Sequence, residues 1–144
     1  MGADFVALIP SESTKMGYGY VHTIREKLMR MVDAEVGDRY SEARKKFHES
    51  SDNVSEYTKT YADMLITIKS KIASATTEEE KDMLYGVYLF IDHSDCDGEF
   101  ETGECDCVLK ALRKLHETDD DIVVERLIKV FDNAVSGNGY VAIW

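Results

Sequence analysis

Between Asp92 and Glu104 the chain reads DHSDCDGEFETGE. Its carboxylates recur every second or third residue with no lysine or arginine among them, so the segment repels itself unless a cation, a basic partner or water lies between the charges. Hard oxygen donors at this density suit Ca²⁺ or Mg²⁺. His93 with Cys96, Cys105 and Cys107 offers the softer donors zinc takes, but Cys105 and Cys107, two residues apart at a helix start, point different ways and form no CxxC hook. A mixed His93, Asp95, Asp97 set would suit manganese or iron. The plain alternative is an acidic turn that caps itself, with Ser94, Asp95 and Asp97 on nearby amides and Gly98 at the bend.

Placing Gly98 at the sixth position of a twelve-residue loop puts His93 at the first, Asp95 at the third, Asp97 at the fifth and the Glu99 carbonyl at the seventh. Glu101 then stands at the ninth position and Glu104 at the bidentate twelfth. The stretch 93–104 with its flanking helices therefore resembles a single degenerate calcium-binding helix–loop–helix. It departs from that pattern at His93, where aspartate is expected, although Asp92 is adjacent if the entering helix ends one residue early. His93 near Cys96 carries the residue types of thiol chemistry, but the sequence offers no third orienting group.

A second candidate lies near the start. Tyr18, Tyr20, His22 and Arg25, with Lys27, combine aromatic faces and hydrogen-bond donors at a loop-to-helix junction, a setting for a nucleotide-like small molecule. GYGY lacks the glycine spacing, lysine and hydroxyl of a P-loop. The competing expectation is aromatic packing against the terminal strands.

These groups must be positioned by helices and two terminal strands. DFVALIP at 4–10 predicts a strand, SESTKMGYGY a loop, and Val21, Ile24, Leu28 and Met31 a helix over 20–32. Gly37 interrupts the pattern before a shorter helix over 40–48. Ser51 and Asp52 suit the start of a helix over 54–73, whose stripe includes Val54, Tyr57, Tyr61, Met64 and Ile68 and reads as a core face. Thr77 and Glu80 have capping-box spacing ahead of a helix over 78–91, preferred to a strand at VYLFI. Helices follow over 104–117 and after Asp119, Asp120 and Asp121, and YVAIW at 140–144 predicts a strand pairing with DFVALIP. The expectation is one α+β domain over 1–144, mainly helical, with a small sheet formed by its N- and C-terminal strands.

Charge narrows the partners. The net charge of −11 is uneven: residues 1–50 carry eight acidic and eight basic side chains, whereas 51–100 carry eleven and four. Direct nucleic-acid binding is disfavoured, a basic protein partner is favoured, and only the balanced first third tolerates an anionic ligand. Three clustered cysteines make no disulfide framework, and no apolar stretch reaches membrane-spanning length or forms a leader, so a cytoplasmic protein is expected.

The GYGYVHTIREKL junction, the IDHSDCDGEF stretch and its following helix, and the apolar C-terminal strand together resemble small uncharacterised proteins of bacteria and their phages. The resemblance covers most of the chain, is most specific at HSDCDG (93–98), and implies no reaction. It implies a defence-related inhibitor, an immunity protein or a binder of a small signalling molecule. The leading expectation is a non-enzymatic binding protein acting through protein contact. A metal-dependent hydrolase of a phosphate-containing substrate and a ligand-sequestering protein are the alternatives.

Overall fold

Ala3, Phe5 and Ala7 are buried, with half-buried residues between them, the period of two that a strand imposes. They belong to β1, Gly2–Leu8. The computed structural model describes residues 2–8, 11–93 and 98–143, without the side chains of Leu8, Ser11, Glu12 and Tyr18. The expected loop at 11–20 is instead a second strand, β2 (Ser11–Gly17), paired antiparallel with β1 from Gly2 opposite Gly17 to Leu8 opposite Ser11. Its inward positions are Thr14 and Met16, so only one large apolar side chain marks it.

Helix α1 (Tyr18–Val32) starts two residues earlier than the apolar pattern predicts. Helix α2 spans Ala34–Glu49, so Gly37 lies inside it, buried against Arg30, rather than breaking it. The start is fixed by Asp33, whose carboxylate accepts the Val36 N–H at 3.2 Å. Ser51 and Asp52 do not cap the third helix; they lie in a 3₁₀ turn, Ser51–Asn53, capped by Ser50, before α3 (Val54–Ser74). Thr77 does cap α4 (Glu78–Asp92), accepting from the Glu80 N–H at 3.2 Å, and VYLFI is helical.

The second half of the acidic stretch forms β3, Gly98–Phe100, followed by α5 (Thr102–His116), α6 (Ile122–Ser136) and β4 (Val141–Ile143). The sheet order is β2-β1-β4-β3, with all neighbours antiparallel. The terminal strands pair as expected, Phe5 opposite Ile143, and the fold is α+β and mainly helical. Phe5 stacks on Phe90 of α4 at 6.0 Å and tilts against Phe131 of α6, which meets Phe100 of β3 edge-on at 5.4 Å. This aromatic contact set joins the sheet to the helices. Among the described residues no helix is long and apolar enough to cross a membrane.

A charged cluster ties α1 to the start of α6. Tyr20 donates to Asp121, and Lys27 Nζ lies 3.2 Å from the same carboxylate and 2.8 Å from Asp119. Asp121 also caps α6, accepting from the Val123 N–H at 2.9 Å. The Tyr20 bond, then the cap, hold the Asp121 carboxyl down at about 2, and the Lys27 bond holds Asp119 below its ordinary range. Both folded-state values lie below the unfolded ones, so this stabilisation is complete above about pH 4 and is lost as pH falls through the folded values. Asp121→Asn keeps a capping side chain but removes the charge. Urea melts should find it about 1 kcal/mol less stable than wild type at pH 7, with the gap closing between about pH 4 and pH 2. An unchanged gap at pH 2 would rule out the charge as its source.

Candidate functional site

Arg25 is 4% exposed although it lies on the helix that begins the tyrosine-rich junction. Its Nε donates to the Phe90 carbonyl at 3.3 Å and its Nη2 to the His93 carbonyl. From α3, Tyr61 donates to the Ile91 carbonyl. The last carbonyls of a helix have no partners within it, and α4 has no basic residue in its own last turn. Arg25 and Tyr61 supply both the donors and, through the guanidinium, the positive charge that a helix C-terminus favours.

This capping draws three segments together. His22 and Arg25 share a face of α1, Tyr57, Thr58 and Tyr61 come from α3, and Asp92 and His93 end α4; together they line a cleft of about 360 Å³. The aromatic hydroxyls continue behind it. His22 Nδ1 shares a hydrogen bond with the Tyr40 hydroxyl at 3.3 Å, and Tyr40 shares another with Tyr57 at 3.1 Å. Burial, then the bond to Tyr57, hold the Tyr40 phenol protonated far above its ordinary range. Tyr40 therefore has one proton to give, to His22 or to Tyr57, and its direction decides which His22 nitrogen accepts.

The candidate site residues divide. His22, Arg25 and His93 converge in the cleft. Tyr20 does not, because two residues advance about 200° around a helix; its hydroxyl faces Asp121. The side chain of Tyr18 lies outside the described residues, as do Asp95 and Asp97, and with them Ser94 and Cys96. Arg25 is turned inward, with Nε and Nη2 donating to α4 carbonyls.

The rest of the acidic loop is engaged locally. His93 stacks on Phe100 with ring centroids 4.1 Å apart, and its Nε2 donates to the Glu99 carbonyl at 3.0 Å. Gly98 has φ +105°, and a Cβ there would lie 2.8 Å from the His93 ring, so glycine satisfies both the turn and the imidazole's position. Glu101 and Glu104 form a capping box at the start of α5, with Glu104 accepting from the Glu101 N–H at 2.9 Å. An ion bound to the Glu99 carbonyl and Glu104 would compete with these bonds. Among the described residues no three His, Cys, Asp or Glu side chains form a group that could hold a metal. Cys105 donates to the Phe100 carbonyl at 3.3 Å, and burial pushes its thiol up to about 11 and raises that of Cys107.

No family model, curated protein or solved structure matches this chain. A larger groove, about 580 Å³, runs between α4 and α5, but each basic side chain that lines it is engaged with a carboxylate. Lys110 meets Asp82 at 2.7 Å, Arg113 meets Asp132 at 2.9 Å and Lys114 meets Glu117 at 3.2 Å. The smaller cleft instead gathers imidazoles, phenols, a hydroxyl and a carboxylate from segments far apart in sequence, the mixture that fixes a small polar ligand.

Tyr57, Thr58 and Tyr61 are the lining residues that sequence reasoning missed as a site. Tyr57 and Tyr61 read as members of a core stripe, and their rings are partly buried. The available signal was two hydroxyl-tipped rings four residues apart in an otherwise aliphatic stripe.

Proposed function

We propose that this chain binds a small polar ligand, nucleotide-like in size, in the cleft between α1, α3 and the end of α4, and holds it without altering it. The reading is supported by the convergence of His22, Thr58, Asp92 and His93 around a cavity of about 360 Å³ whose walls are fixed by Arg25 and Tyr61. A sequestering protein of this kind would serve the role implied by the bacterial and phage resemblance, by withdrawing a small signalling molecule from solution.

The test is retention. The chain is equilibrated with a cell-free extract of polar metabolites and filtered, and the bound material is released and identified by mass spectrometry. About one ligand per chain, recovered unaltered, is expected from the wild type. Thr58→Trp, an exposed position of α3 on the cleft wall, should reduce retention at least about tenfold by filling the cavity. Equal retention by the variant, or none by either protein, would remove the reading. Recovery of a converted ligand would favour the hydrolase alternative, for which His22, Arg25 and His93 share the same cleft.

A second reading, contact with a basic protein partner, is favoured by exposed Asp92, Glu99 and Glu101 clustered around β3. Binding through these charges should weaken steeply with salt.

A further inference from the structure

His22 and Tyr57 line not one cavity but two. They also line a second, smaller space of about 210 Å³, together with Gly19, Arg44, Phe47 and His48. It is walled partly by aromatic rings: Phe47 stacks on Tyr57 with centroids 5.1 Å apart and an interplanar angle of 29°, and the His48 ring lies 6.2 Å from Phe47. Arg44 enters from α2 with its side chain 17% exposed. Glu26 holds Nη1 at 2.9 Å, while Nη2 comes within 3.9 Å of where a Cβ on Gly19 would stand. One carboxylate thus orients a planar cation beside the chamber.

The two spaces differ in charge. The larger cleft contains the Asp92 carboxylate, and its arginine is committed to α4 carbonyls. The smaller is lined by Arg44 and His48, and among the described residues the carboxylate paired with Arg44 is Glu26, held through Nη1. Both α1 and α2 come from the first fifty residues, where charges balance in a chain of net −11. An anionic group is therefore directed to the Arg44 chamber. A neutral polar body with hydrogen-bonding edges suits the larger cleft.

We infer that the ligand is a nucleoside monophosphate spanning the two spaces that His22 and Tyr57 line, with its phosphate beside Arg44 and His48 and its nucleoside in the larger cleft. This rests on the cleft being the binding site. Tyr57, its ring stacked on Phe47, lines both spaces, and Thr58 and Asp92 supply a donor and an acceptor for the base or the sugar hydroxyls. Guanidinium and phosphate match in geometry as well as charge.

The experiment titrates the monophosphates of adenosine, guanosine, cytidine and uridine, the four nucleosides, and inorganic phosphate into isotope-labelled protein, followed by NMR. At least one monophosphate should bind saturably, shifting amides near Arg44 and His48 as well as near Thr58 and Asp92, and bind at least about tenfold more tightly than its nucleoside or phosphate alone. Arg44→Gln should weaken it by about tenfold or more, and Arg44→Lys, which keeps the charge but not the planar fork, by less. If Arg44→Gln fails to fold, the wild-type shifts and the nucleoside comparison still decide. A nucleoside binding as tightly as its monophosphate, or an Arg44→Gln protein binding like wild type, overturns the inference. If no monophosphate binds while the extract still yields a ligand lost in Thr58→Trp, the inference falls and the cleft reading stands. If nothing binds in either experiment, both fall.

Discussion

Gly86→Ala should destabilise the fold by about 3 kcal/mol, although alanine is the better helix former by about 1 kcal/mol. Gly86 is buried in α4 where α5 crosses it. A Cβ built there would penetrate the Cys107 carbonyl oxygen and stand 2.9 Å from the Val108 nitrogen, both backbone atoms of α5. Backbone cannot rotate aside as a side chain does, so the two helices would have to separate. Every contact along that seam would loosen, including those of Leu84, Val87, Val108 and Leu112, all buried. In a domain of this size the midpoint of thermal unfolding should fall by about 10 °C, measured by circular dichroism or calorimetry. A variant as stable as wild type would mean that α4 and α5 do not pack this closely in solution.

Arg25→Met should cost a comparable amount, about 3 kcal/mol, and, on the proposed function, should also remove ligand binding. The methionine fills much of the same volume but leaves the Phe90 and His93 carbonyls without their donors and removes the cation at the C-terminus of α4. Hydrogen exchange at the amides of residues 89–93 should accelerate more than at the α6 core, because opening of this turn no longer breaks charge-assisted bonds. Arg25→Lys should recover less than half of the loss, since one ammonium does not span both carbonyls as the guanidinium does. Tyr61→Phe, which removes a single donor from Ile91, should cost only about 1 kcal/mol. Uniform acceleration of exchange throughout the Arg25→Met protein would show that Arg25 supports the fold as a whole rather than this turn.

Most of the helices were legible because their information is local. Val124, Leu127 and Phe131 fall on one side of α6 wherever that helix packs, and Thr77 meets the Glu80 amide without help from the rest of the chain. The strands were harder in proportion to how little each buries. β1 and β4 carry apolar runs, but β2 turns one large apolar side chain inward and β3 is three residues long, so partners rather than composition make them strands.

The site was legible in pieces, its full lining only in the folded chain. His22, Arg25 and His93 carried recognisable chemistry, yet nothing local reveals that Tyr20 turns toward α6 or that Tyr57 and Tyr61 meet the end of α4. Arg25 has the residue type of an anion clamp and acts as a helix cap, a role decided by which helix end arrives beside it. Glu104, the twelfth residue of the calcium-loop reading, bonds the Glu101 amide as part of the capping box that opens α5.

By itself the sequence determined the α+β class, the six main helices, the pairing of its two ends and the confinement of neutral charge to the first third, because periodicity, capping and composition act over a few residues. Tertiary structure alone decided that Gly86 is a point of helix contact, that Arg25 faces inward, and that residues 22, 58 and 92 surround one cleft. Those outcomes depend on which surfaces meet after α1, α3 and α4 pack, and contacts between residues tens of positions apart leave no periodic trace in the chain.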